Sequence, residues 1–268
     1  MTIEYVAGRK ADSRLDISCL PGVTQNRSQR EMVYTPAWLA SYTPSLCIVL
    51  KVYMEAYSGG GVASTIRDAD RNIVDTIYWN QSVFEDYCRG VKTAIETGWN
   101  NHLWLIPSAN WGLENGRSFR PNIRCSIRLE ISHEESDSHH LHVRCVNLLS
   151  ETTQHRSFHR PSQHLIQIDS NDGIRTLAHE IGHHLGLGHV NQLACRNAGL
   201  EGNHRICYGI GTYQRSDLMG AGDRIDVWHA QIWTNRINRH TQNSFVSWRA
   251  VTSEPQPQHI SRLTTRLN

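Results

Sequence analysis

Apolar and polar residues alternate most regularly over Ile123–Ile131. Ile123, Cys125, Ile127, Leu129 and Ile131 fall on one side of an extended chain and Arg124, Ser126, Arg128 and Glu130 on the other, the pattern of a strand buried on one face. A similar alternation resumes at Leu141, Val143 and Cys145 after the polar stretch HEESDSHH, which predicts a hairpin between the two segments. Cys47–Ala56, rich in Val, Ile and Tyr, reads as a buried strand ended by Gly59, Gly60 and Gly61, and His164–Ile168 as a short strand. Phe84, Cys88, Val91 and Ile95 recur at helical spacing and predict a helix over Val83–Thr97, with Ser82 and Glu85 as a capping box and Gly98 as its stop. Ile174, Leu177, Ala178, Ile181 and Leu185 share one side of a second helix, with Ser170, Asn171 and Asp172 as N-cap candidates. Val227, Ala230, Trp233 and Ile237 mark a last helix, and the segment from Ser253 reads as a loose tail.

Composition narrows the class without identifying it. The 268 residues are 39% hydrophobic and 19% charged, with 27 basic against 25 acidic side chains, as in an ordinary globular protein. A formal charge of +2 offers no electrostatic footprint for nucleic acid. The longest apolar run, Leu46–Met54, is broken by Lys51 and falls well short of the roughly 20 residues of a spanning helix. The opening MTIEYVAGRKADSRLD lacks the apolar core of a secretory signal, so any export is expected to use another route or to follow removal of a leader. Seven cysteines, an odd number without CxxC spacing, imply neither a disulfide scaffold nor a cysteine-built zinc ribbon; Cys88, Cys125 and Cys145 fall on apolar positions, and Cys195 and Cys207 are the candidate disulfide pair.

The chemistry is concentrated in RTLAHEIGHHLGLGHV, residues 175–190. It contains HExxHxxGxxH as His179, Glu180, His183, Gly186 and His189, a coincidence expected by chance in on the order of one sequence in several thousand. His179 and His183 stand one helical turn apart and can reach a single ion, while Gly186 can take a positive φ that ends the helix and returns His189 as a third ligand. Three neutral imidazoles leave one position of a zinc ion open for water, as catalysis requires. Glu180 is badly placed to bind the same ion and well placed as the general base on the zinc-bound water.

The motif resembles that of the metzincin clan of zinc endopeptidases, and HEIGHHLGLGH is especially similar to the matrixin form. The clan carries a methionine in a tight turn beneath its zinc; SDLMGAGD puts Met219 thirty positions after His189, so Met219 looks like that Met-turn residue, a hydrophobic floor and no ligand. The resemblance covers about Ser45–His240. It implies an α+β fold with a twisted mixed sheet and the active-site helix in an upper lobe, and a smaller irregular C-terminal lobe ending in a helix. On that reading residues 1–44 form an extension packed on or preceding a catalytic domain at 45–252, whose upper lobe spans about 45–188 and lower lobe about 189–252, and 253–268 form the tail. The clan pairs extended substrate with an edge strand, here Leu141–Leu149 or His164–Ile168. Ala221 stands where astacins and serralysins have a tyrosine, so that role is not carried over, and Val190 leaves the family within the clan unassigned.

The implied activity is hydrolysis of peptide bonds in extended protein or peptide substrates by one catalytic zinc ion; further structural zinc or calcium is left open. Action outside the producing cell, as an exported toxin or effector, is implied only by the clan. The rival is a catalytically silent, zinc-stabilised peptide-binding module, for which Glu180 has no use. Other candidates read as structural: His184 as a residue behind the ligands or on the surface, Tyr213 as packing, His133, His139, His140 and His142 as a solvated hairpin tip, and Cys19 as no inhibitory ligand.

Overall fold

The structure is a computed structural model that describes residues 3–16, 24–25, 32–33, 44–58, 64–68, 70–108, 111–112, 118–119, 122–149, 155–172, 174–197, 199, 204–241 and 247–252. Gly59–Gly61, Cys19 and the tail from Ser253, on which sequence expectations fall, lie outside these residues.

Among the described residues nine strands form one mixed sheet. In chain order they are β1 (Ile3–Val6), β2 (Asp12–Asp16), β3 (Ser45–Tyr57), β4 (Trp104–Pro107), β5 (Ile123–Ser132), β6 (Leu141–Val146), β7 (Phe158–Arg160), β8 (Leu165–Asp169) and β9 (Trp248–Val251). The spatial order is β7-β8-β6-β3-β5-β4-β9, with β2 joined to β3 and β1 to β2. The helices are α1 (Gln81–Trp99), α2 (Ile174–Leu185), three short ones, α3 (Gln192–Asn197), α4 (His204–Cys207) and α5 (Thr212–Arg215), and α6 (Gln231–Thr241). The class is therefore α+β with a twisted mixed sheet.

The thirteen-residue β3 organises the sheet because it is longer than any single partner. One edge takes β5 in parallel from Arg124↔Ser45 to Ser132↔Tyr53. The other is divided: β2 runs antiparallel along Ser45–Val49, and β6 runs parallel along Val52–Tyr57. The expected hairpin is thus corrected. β5 and β6 both run parallel to β3 on its two edges, and residues 133–140 cross from one edge to the other. Alternation specifies which face a strand buries and is silent about its neighbour.

That crossing also corrects the solvated-tip expectation for His140, which is buried. Its Nδ1 accepts from the Lys51 N–H at 3.0 Å, and its Nε2 lies 3.3 Å from Asp12. His142 contacts Glu55 at 2.8 Å, and Tyr53 stacks on the rings of His139 and His142.

Leu46, Ile48, Leu50, Val52 and Met54 of β3 face the helices, with Ile123, Cys125, Ile127 and Leu129 of β5 beside them. Phe84, Cys88, Val91 and Ile95 of α1, Leu177, Ala178 and Ile181 of α2 and Trp233 and Ile237 of α6 complete the same core. α1 begins at the N-cap Asn80, whose side chain accepts from the Ser82 N–H, so no Ser82/Glu85 box forms. It runs through Gly98 to Trp99, because the fully buried Trp99 donates its indole N–H to the Ala178 carbonyl at 3.0 Å and ties α1 to α2. The last helix opens with a 3-10 turn, Val227–Ala230, capped by Asp226 and His229. Cys195 and Cys207 are disulfide-bonded; Cys88, Cys125 and Cys145 are buried thiols.

Candidate metal centre

α2 brings the histidines together by a division of its faces. Leu177, Ala178, Ile181 and Leu185 enter the core, which leaves His179 and His183 on the side away from it. After Leu185 the chain reverses at Gly186, whose φ of +104° is open to glycine and strained for other residues. The turn carries His189 back: one ligand nitrogen from each of His179, His183 and His189 lies within 4.8 Å of the others.

Hydrogen bonds fix which nitrogen each ring presents. His179 Nδ1 lies 2.7 Å from the Leu218 carbonyl and His183 Nδ1 2.9 Å from the Leu187 carbonyl. A carbonyl only accepts, so each Nδ1 carries the proton and each Nε2 is left with a lone pair. His179 Nε2 is buried without a protein partner among the described residues, and His183 Nε2 lies 3.1 Å from His189 Nε2. Burial pushes the His179 pKa down to about 4 and lowers that of His183 as well, so both rings are neutral, the form a metal binds. Converging lone pairs with one buried nitrogen unsatisfied fit a divalent ion. Imidazole donors suit zinc, copper, iron or nickel.

The floor is built by close packing. Met219 is fully buried, and a Cβ added at Gly182 would stand 2.4 Å from its sulfur, so the glycine of HEIGH is what lets α2 settle onto this methionine. The turn at Met219 is held from below by Asp217, itself buried. Its carboxylate accepts from the Met219 N–H at 2.8 Å and the Trp228 indole at 3.0 Å and lies 3.1 Å from His229 Nε2. The Met219 carbonyl accepts from the Val190 N–H at 3.1 Å, which joins this turn to the chain just after His189.

Glu180 borders a cavity of about 840 Å³ that also reaches His179. Burial, with the charge of Asp172 adding to it, pushes the Glu180 carboxyl up to about 7. No family model, curated protein or solved structure matches the chain.

Tyr208 was not singled out by any spacing, yet its ring packs against His179 and His189, at 5.4 Å and 4.1 Å between centroids, and it lines the same cavity. Its hydroxyl bonds Arg156 and is pushed above its ordinary pKa by burial and by Glu180. Its place follows from its neighbours. Cys207 is tied to Cys195, and the Asn191 N–H donates to the Cys207 carbonyl at 3.1 Å, two residues after His189. Tyr213 instead bonds Asp226 and lies under the Arg224 guanidinium, outside the cavity lining. His184 is a core residue whose Nε2 donates to the Lys10 carbonyl at 2.8 Å.

Both strands expected to form the substrate-binding edge are interior. β6 lies between β3 and β8, and β8 between β6 and β7. Among the described residues the short antiparallel β7 ends the sheet, directly after cavity-lining His155, Arg156 and Ser157.

Proposed function

We propose that the protein is a zinc-dependent endopeptidase of metzincin type, with His179, His183 and His189 as the metal ligands, Glu180 as general base and Met219 as the Met-turn residue. The single observation that carries this reading is the convergence of three imidazole nitrogens beside a buried carboxyl group at the wall of a cavity. When bound, a zinc ion supplies the electrophile, drawing charge from a peptide carbonyl and making water acidic enough to react near neutral pH. Glu180 accepts the proton of the attacking water as the new C–O bond forms. It returns that proton to the amide nitrogen as the C–N bond breaks, so that an amine leaves. The Tyr208 hydroxyl, held by Arg156, donates a hydrogen bond to the oxygen on which negative charge develops. β7 offers extended substrate a strand edge beside these groups. The Cys195–Cys207 disulfide accords with action in an oxidising compartment outside the producing cell.

The test compares wild type with Glu180→Ala and His183→Ala for zinc content and cleavage of an unfolded protein. Glu180→Ala retains zinc and loses cleavage, and His183→Ala loses both. A chelator removes activity, and added zinc restores it. Bound zinc without cleavage in wild type would replace this reading with that of a silent peptide-binding module.

A further inference from the structure

The cavity beside Glu180 is lined by more positive than negative charge. Three guanidinium groups border it: Arg156 just before β7, Arg175 in the first turn of α2 and Arg215 at the end of α5. Arg156 is matched by Asp70 at 2.7 Å and by Tyr208. The other two meet main chain. Arg175 donates to the Ala221 carbonyl and Arg215 Nε to the Gly209 carbonyl at 3.1 Å, and among the described residues neither pairs with a carboxylate. A guanidinium has five N–H donors, so each of these bonds orients the group while leaving most of it to face the cavity.

Of the two carboxyl groups of the lining, Asp172 is committed to neighbouring groups and Glu180 is the buried one. Asp172 accepts from the Ser157 hydroxyl and from the Asp169 N–H at 2.9 Å. Glu180 is buried at the inner wall, where the cavity approaches the core residues Leu177 and Ile181. His155, also on the wall, is bonded to Asp169 at 2.8 Å. A neutral or basic substrate group would leave Arg175 and Arg215 without a charge partner. A carboxylate would meet two planar donor forks already held in place.

We propose that this cavity is an acid-selective subsite, in which Arg175 and Arg215 hold a carboxylate of the bound peptide. The inference rests on the peptidase reading and names the substrate class: peptides with Asp or Glu next to the cleaved bond, or a chain terminus there. Both arginines are exposed at the cavity wall, so the preference is moderate and weakens with salt.

The experiment measures kcat/KM of the zinc-loaded protein on peptides identical except for Glu, Gln or Lys at each position flanking the cleaved bond. Glu is favoured over Gln by about tenfold at low salt, as one charge-assisted bond pair allows, and the ratio shrinks at high salt. Arg215→Glu shifts the ratio toward Lys, and Arg175→Gln lowers the Glu preference; the two variants guard against a single misfolded protein. Peptides ending at the same position as acid or amide separate a terminal carboxylate from a side chain. Equal cleavage of Glu and Gln peptides by wild type overturns the acid-selective subsite while leaving the peptidase intact. If wild type cleaves none of them, the peptidase reading fails. Calorimetric binding of the same peptides then decides the subsite: tighter binding of Glu over Gln that Arg215→Glu abolishes upholds it, and equal binding ends it.

Discussion

Tyr208 lies flat against His179, the two rings 5.4 Å apart and inclined by only 3°. The stack puts a phenol ring beside the imidazole cluster, and its hydroxyl is bonded to Arg156. Tyr208→Phe keeps the ring and removes the donor. The expected result is unchanged zinc content and a kcat lower by about a hundredfold with little change in KM, the usual cost of one donor to a developing oxyanion. Steady-state kinetics with metal analysis check this. A loss of zinc with kcat preserved in the loaded fraction would assign the hydroxyl to site architecture instead.

The Cys195–Cys207 disulfide closes a short loop with a sequence separation of 12 directly before Tyr208. Its removal by Cys195→Ser with Cys207→Ser should lower stability by about 2–3 kcal/mol through the freed loop. Activity should fall more than zinc content, since the bridge anchors Tyr208 and the ligands are anchored by α2, Leu187 and Leu218. Denaturant unfolding and metal analysis of the same sample make the comparison.

Gly182→Ala is a steric test of the methionine floor. The added methyl would stand 2.4 Å from Met219 Sδ and 3.2 Å from Trp99, both fully buried. Overpacking of this kind costs about 1–3 kcal/mol, and because α2 must move, zinc affinity should fall with stability. Combining it with Met219→Ala should recover part of the loss, whereas additive losses would show that the two positions do not oppose each other.

Asp217 is buried and surrounded by donors from Met219, Trp228 and His229. Burial alone would raise its carboxyl pKa, but these partners together hold it below the usual range. Asp217→Ala strands the donors and should cost about 3 kcal/mol or more. Asp217→Asn, which keeps an acceptor, should cost less. Equal midpoints for the two variants in thermal unfolding would sink this account.

Acid should weaken the fold through His240. Burial holds its pKa down at about 4, with Ser13 Oγ 2.9 Å from Nε2, Glu4 3.6 Å from Nδ1, and Arg236 and Arg239 on the same helix. The unfolded ring takes its proton near 6.5 and the folded ring only near 4, so protonation favours the unfolded chain throughout that interval. Stability therefore declines as pH falls from about 6.5 to about 4, at up to about 1.4 kcal/mol per unit for each such group. His240→Gln should flatten the decline seen in denaturant titrations across this range; an unaltered slope would place its origin elsewhere.

Local periodicity carries much of this architecture, and the failures share one cause. The strand beginning at Ile123, the helix containing Phe84 and Cys88 and the two-faced motif helix are legible because each is specified by residues within a few positions of one another. The spacing of His179, His183 and His189 makes the ion cluster legible on the same basis. Partnership across space is not written this way. β5 and β6 read as hairpin neighbours, yet the long β3 lies between them. Trp99 extends α1 past Gly98 through a bond to a carbonyl on α2. Tyr208 enters the site by way of a disulfide and an asparagine amide, and His140 is buried because its loop crosses β3.

The bond from His184 to the Lys10 carbonyl joins residues 174 positions apart. On the next turn back, His179 is held by Leu218, 39 positions further on. The motif helix is thus clamped from near the chain's beginning and from its last quarter. Contacts of such sequence separation form late, after the loop entropy between them has been overcome. A chain still being synthesised holds the motif helix before it holds Leu218, so the bond that orients the His179 ring forms only once residues beyond α5 have been added.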